Sequence, residues 1–255
     1  MAACLTGLLS AEALDSWGWR IPFLLGVLIG PVGFYIRSRT EEPEEFRAAV
    51  RERSGSPLRL TMRHWRGVLA GFGITITWTV CMYFFVVYMP TYAIRELGTS
   101  ASGAFLANSA SVVVLLVLAP VFGAVSDRLG RRRLLLAAAA CIMVSTYPSL
   151  AALSAAPGLW SLLALQVVLG AVLAVFTGVA PAAMAEVCPA EVRSTSVSIS
   201  YSFAVAIFGG FASFIATWSI AATGNSFAPA GYVIGSCGLS VALIYLFYQR
   251  RTIQT

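Results

Sequence analysis

Residues 111–140 read SVVVLLVLAPVFGAVSDRLGRRRLLLAAAA: an apolar run, a turn crowded with charge, and a second apolar run. Followed outward, the runs become hydrophobic stretches at about 103–125 and 134–154. Each is long enough for the roughly 20 residues that an α-helix needs to cross a ~30 Å hydrocarbon core. Strands of a membrane barrel alternate polar and apolar residues with period two, and these runs do not. The stretch predicts two membrane-crossing helices joined by a basic turn.

The rest of the chain repeats the pattern, with further apolar spans at about 17–37, 67–90, 159–184, 195–220 and 229–248. With 58% hydrophobic and 11% charged residues and a mean hydropathy of +0.82, the chain lacks the charged coat of a soluble domain. The organisation expected is a helical remnant at 1–14, a first complete span at 17–37, a polar loop at 38–66, a six-helix bundle at 67–248 and a tail at 249–255. Residues 2–14 are apolar but too short to span, and they lack the basic region of a signal peptide. They read as the end of a helix whose beginning is absent.

All 17 basic residues are arginine, and the net charge is +6. The arginines lie in loops between apolar spans, so membrane topology explains them and nucleic acid is not an expected partner. Fifteen fall on one set of loops and two, Arg20 and Arg95, on the other. The positive-inside rule puts the loop at 38–66 and the C-terminus in the cytoplasm. In that loop Pro43, Glu44 and Glu45 suit the first turn of a short surface helix, Phe46 and Val50 give it a narrow apolar stripe, and Gly55 and Pro57 end it.

Cys4, Cys81, Cys141, Cys188 and Cys237 are scattered singly, with no C-x-x-C pair, and His64 is the only histidine. No metal, disulfide or cofactor site is expected. Nor does a nucleophile–base pair or phosphate-cradling loop point to an enzyme. Small-xxx-small pairs at Gly26/Gly30 and Gly67/Gly71 mark places where helices can approach closely. Pro31, Pro120, Pro148, Pro181 and the Gly209-Gly210 pair are either hinges or static breaks.

The turn itself carries the most information. Gly123-Ala-Val-Ser-Asp127-Arg128-Leu-Gly130-Arg131-Arg132-Arg133 has more than a positive-inside loop requires, since such a loop needs neither Asp127 nor fixed spacing. The G-x-x-x-D-R-x-G-R-R pattern resembles the loop signature of the major facilitator superfamily. Trp17-Gly-Trp19-Arg20-Ile-Pro22-Phe23 with the acidic loop after that span is similar to helix six and the central loop of its metabolite:proton symporter family. Met89-Pro90-Thr91-Tyr92 fits the end of helix seven. Glu186-Val-Cys-Pro189-Ala-Glu191-Val-Arg193 resembles that family's E-x-x-P-x-x-x-R loop before helix eleven. Ala206-Ile-Phe-Gly209-Gly210-Phe211 looks most like the citrate and other organic-acid members.

The resemblance covers essentially the whole chain. It implies an all-α polytopic bundle, the C-terminal six-helix half of the fold plus the preceding helix, in a bacterial inner membrane. It also implies alternating access with substrate between two lobes. Gly123, Asp127, Arg128, Gly130, Arg131, Arg132, Glu186, Pro189 and Arg193 would serve gating, with Asp127 facing a helix of the N-terminal half that this chain lacks. The function implied is secondary transport, with proton-coupled symport of a small organic acid such as citrate. The alternatives are an inactive truncated fragment and a half-size, self-associating carrier for a solute such as shikimate or a betaine.

A symporter of organic anions needs a cationic group and a titratable group within the membrane, where such residues are functional by default. None lies inside the spans after residue 66; Arg95, Glu96, Asp127, Glu186, Glu191 and Arg193 sit at their ends. Charge recognition and proton coupling are therefore expected in the other lobe, with this one supplying neutral contacts. Candidates along the substrate path are Thr79, Tyr83, Tyr88, Asn108, Gln166, Thr177, Ser198 and Tyr201, with Thr75 and Ser111 beside them. Hydroxyls in membrane helices often bond only to neighbouring backbone. Asn108 and Gln166 are the stronger candidates, because burying a primary amide is costly.

Overall fold

The computed structural model describes residues 10–27, 29–39 and 56–248. Among the described residues seven helices are long and apolar enough to cross a membrane: α1 Gly18–Arg39, α2 Trp65–Leu97, α3 Ala101–Leu129, α4 Arg131–Ala155, α5 Leu159–Glu186, α6 Arg193–Thr223 and α7 Ala228–Phe247. Among the described residues there is no strand, and the all-α membrane bundle expected from the sequence is what forms. The surface helix expected around Phe46, residues 1–9 and the tail from 249 lie outside the described residues. The helix expected to stop before Pro57 lies outside the described residues, and Pro57 begins the short helix Pro57–Arg63. Its fixed φ and missing N–H cost nothing at a first helical position.

Helix α2 is the centre of the six-helix unit, packed against α7, α6, α5 and α3, while α4 lies between α5 and α7. The most extensive contact is α3 against α5. Glycine makes it possible. A Cβ on Gly170 would lie 2.6 Å from the Ser111 carbonyl oxygen, and one on Gly178 would collide with the Ala119 carbonyl and stand 3.1 Å from the Gly123 nitrogen. With no apolar driving force between helices in lipid, such close backbone approach is a main source of cohesion.

Gly67 and Gly71 behave in the same way. A Cβ on the first would meet the Val187 carbonyl oxygen at 2.5 Å, and one on the second the Ser200 hydroxyl at 3.0 Å. The Gly26/Gly30 pair does not: a Cβ at either would have nothing within 4 Å. Among the described residues α1 has no extensive packing beyond its own neighbours, and Phe23, Ile29 and Phe34 are each more than 70% exposed. A small-residue pair needs a facing helix, and the described residues give α1 none.

Helices α3, α4 and α5 continue through Pro120, Pro148 and Pro181. The irregular geometry lies elsewhere. Met82–Tyr88 in α2 and Val205–Gly209 in α6 are wound as π-helix, with Met89 N–H donating to the Phe84 carbonyl and Gly210 N–H to the Val205 carbonyl. In α2 the cause is Pro90, which offers no N–H to the Val86 carbonyl and crowds it. In α6 the Gly209-Gly210 pair softens the helix, and the Tyr232 hydroxyl takes the Phe208 carbonyl at 2.5 Å. The two wide turns are neighbours: a Cβ on Gly209 would collide with the Thr79 hydroxyl and lie 2.9 Å from the Tyr83 ring.

Candidate functional site

Two constellations stand out, one inside the bundle and one at its arginine-rich end. In the interior, Gln166 of α5 is 1% exposed and bridges two other helices. Its Nε2 donates to the Phe85 carbonyl at 3.2 Å and to Asn108 Oδ1 at 3.3 Å. A carbonyl only accepts, so Phe85 fixes which end of the amide faces it. Gln166 Oε1 is left buried without a partner among the described residues. Phe85 lies within the π-helical turn of α2, where the backbone ladder is interrupted, so the amide reads a carbonyl that the widened helix makes available. Asn108 is half-buried, which leaves one end of the pair sealed and the other at the surface.

The remaining candidates divide. Thr79 is buried and Tyr83 half-buried where α2 meets Gly209. Tyr88 is buried, its hydroxyl 3.4 Å from Thr217 Oγ1 of α6. Thr177 bonds its own helix, donating to the Leu173 carbonyl at 3.2 Å, as hydroxyls in helices commonly do. Thr75 does likewise to Gly71, and Ser111 is buried against Gly170. Ser198 and Tyr201 are exposed on α6, with Tyr201 edge-on to Trp78 at 6.0 Å. The structure thus brings Asn108 and Gln166 together and gathers Thr79, Tyr83 and Gly209 beside the wide turns. Ser198 and Thr177 stand apart from both groups.

At the other constellation, Gly130 ends α3 and opens α4 with φ +92°, a conformation that favours glycine. The reversal brings Arg131 back over α3. Its guanidinium donates to Asp127 Oδ1 at 2.8 Å and, through the other nitrogen, to Glu186 Oε1. Tyr248 donates to the second Glu186 oxygen at 3.2 Å. Two motifs far apart in sequence therefore share one arginine. Glu186 pairs with Arg131 and not with Arg193 of its own motif, which is exposed at the start of α6. Pro189 lines a shallow pocket with Arg63 and Arg66. Arg132 donates to the Tyr245 carbonyl at 2.7 Å and lies over the Tyr245 ring at 5.3 Å, fastening α4 to the last turn of α7. A cation at a helix C-terminus satisfies its free carbonyls. Asp127 and Arg128 are exposed at the turn.

At the opposite end Glu96 accepts from Ser226 at 2.8 Å. No cluster of three metal-ligating side chains occurs among the described residues. Cys81 of α2 and Cys237 of α7, read as isolated in sequence, are both buried free cysteines.

The loop that joins two membrane helices through Gly130 and ties Asp127 to Arg131 is the signature noted in the sequence, and the comparisons agree. The sequence model of the Major Facilitator Superfamily matches residues 94–254. The chain belongs to the Major Facilitator Superfamily. Within it, the relatives group the chain with the metabolite:proton symporters. It is 36% identical over 97% of its length to a citrate-proton symporter of Klebsiella pneumoniae, covering 56% of that protein. An alpha-ketoglutarate permease of Escherichia coli (strain K12) is 32% identical over 80% of the chain and 47% of the relative. A glycine betaine/proline/ectoine/pipecolic acid transporter of Dickeya dadantii is 30% identical over 92% of the chain and 50% of the relative. The chain thus spans about half the length of these superfamily relatives, which are transporters. No solved structure matches it. It is a multi-pass protein of the bacterial inner membrane.

Neither π-helical turn was evident from hydropathy. The signal available was Pro90 four residues after Val86 at the end of an aromatic run. Tyr248 as a partner of Glu186 left no sequence signal.

Proposed function

We propose that this bundle is one lobe of a proton-coupled organic-acid symporter that works by alternating access and is not an enzyme. The observation that carries the reading is the buried bridge from Gln166 to Asn108 and to the Phe85 carbonyl in a π-widened helix. It offers hydrogen-bonding groups in the bundle interior with no ionised group among the described residues beside them. The citrate-proton symporters and the alpha-ketoglutarate permease among the relatives support this solute class. Substrate carboxylates and the coupling proton would be met by a second lobe, and this one would supply Asn108, Gln166, Thr79, Tyr83 and Tyr88 to the path. The arginine-rich end would face the cytoplasm, with the Asp127–Arg131–Glu186 latch closing and opening as the lobes rock.

A second reading, a betaine or proline carrier, is favoured by the betaine relatives and by the exposed Tyr201 ring beside Trp78. Aromatic faces of this kind attract quaternary ammonium groups.

The test joins residues 1–255 in frame behind the segment of the Klebsiella symporter that they do not cover, and follows uptake in a host unable to import citrate. Citrate uptake abolished by Q166L supports the symporter reading. Uptake of glycine betaine but no tricarboxylate replaces it with the second.

A further inference from the structure

The turn between α3 and α4 holds a pocket of about 340 Å³ that the latch does not use, lined by Arg128, Leu129, Gly130, Arg132 and Arg133. Four arginines occupy this turn. Among the described residues only Arg131 has carboxylate partners, and it takes both Asp127 and Glu186. Arg132 gives one nitrogen to Tyr245, while its Nε is buried with no acceptor among the described residues. Arg128 and Arg133 are exposed and form no ion pair among the described residues. A buried charged N–H without an acceptor is costly, and the natural complement is an anion with several oxygens.

Two further features select the anion. Helix α4 begins at Arg131, so its first N–H groups, which have no partner within the helix, open onto the same turn. Leu129, 56% exposed, sets an apolar side chain beside the cations at the very end of a membrane-crossing helix. An amphiphile with a phosphate at its polar end fits both. We propose that this pocket binds the phosphate of an anionic phospholipid, with Arg128, Arg132 and Arg133 on its oxygens and its hydrocarbon running past Leu129. The bound lipid would offset part of the charge of three arginines that stand beside the Asp127–Arg131–Glu186 latch.

The experiment is native mass spectrometry of the full 255-residue chain in micelles carrying phosphatidylglycerol, phosphatidylcholine or inorganic phosphate alone. We expect phosphatidylglycerol to bind roughly 25-fold more tightly than phosphatidylcholine, the two exposed arginines near the surface supplying about fivefold each. The R128Q/R133Q variant should weaken it by roughly 25-fold, about fivefold for each arginine. R95Q, at the opposite end, should leave it unchanged. Both replaced side chains are exposed, and an unaltered melting midpoint in the variant checks that the bundle is intact. If the variant does not fold, R128K/R133K carries the test, losing paired geometry while keeping charge and so falling between the two. Equal retention of phosphatidylglycerol by wild type and variant overturns the site. Equal binding of the two lipids, or inorganic phosphate binding as tightly as phosphatidylglycerol, overturns its assignment to an anionic lipid.

Discussion

At the arginine-rich end of the bundle Arg131 bridges Asp127 and Glu186 within reach of solvent, whereas in the interior the buried Gln166 bridges half-buried Asn108 and the Phe85 carbonyl. Both join a side chain of α3 to α5, and both use a forked donor. They differ in charge. An ionised group is tolerable where water and headgroups can solvate it and expensive at the centre of a bilayer, so the interior link is made of neutral amides. The difference teaches where such a lobe can do chemistry. Its ends can respond to charge and salt, while its interior can recognise a solute by hydrogen bonds without neutralising it.

The comparison can be broken most forcefully through the seam that holds both bridges in register. Gly178→Val drives a branched side chain into the Ala119 backbone, which cannot move aside cheaply. A loss of about 3 kcal/mol is expected, seen as a fall of roughly 10 °C in melting midpoint. Gly26→Val, with open space around it, should leave the midpoint within about 1 °C.

Next in size is the interior bridge. Gln166→Leu is expected to lower stability by about 1–2 kcal/mol. A double-mutant cycle with Asn108→Ala should return a coupling of about 1 kcal/mol. No measurable coupling would mean that the two amides are merely adjacent. The exposed latch should matter less: Glu186→Gln is expected to cost about 0.5 kcal/mol, a loss that shrinks further in high salt, by denaturation at two ionic strengths. Smallest is Ser226→Ala at the opposite end, within about 0.5 kcal/mol of wild type, because the bond to Glu96 is exposed.

Hydropathy made the membrane helices legible, since a long apolar run has few other ways to fold. The turn at Gly123–Arg133 was legible because Asp127 and Gly130 exceed what topology needs. Gln166 and Asn108 could be singled out by residue type, but their meeting depends on the register of α3 against α5. That register is set by Gly170 and Gly178, whose importance appears only once Ser111 and Ala119 face them. The Gly26/Gly30 pair carries the same spacing signal as Gly67/Gly71 and finds no such neighbour, so spacing alone does not identify a contact. The π-helical turns escaped because their causes are local, Pro90 in α2 and the Gly209-Gly210 pair in α6, and leave the hydrophobic pattern untouched.

The proposal that cargo charge and the coupling proton are handled outside this six-helix unit can be tested without any variant. The 255-residue chain would be reconstituted in liposomes, a pH gradient imposed, and labelled citrate uptake followed with and without a protonophore. No gradient-driven accumulation is expected, because the interior has amides and hydroxyls but no ionised partner among the described residues. Accumulation that the protonophore abolishes would contradict it, placing the coupling groups within the lobe itself.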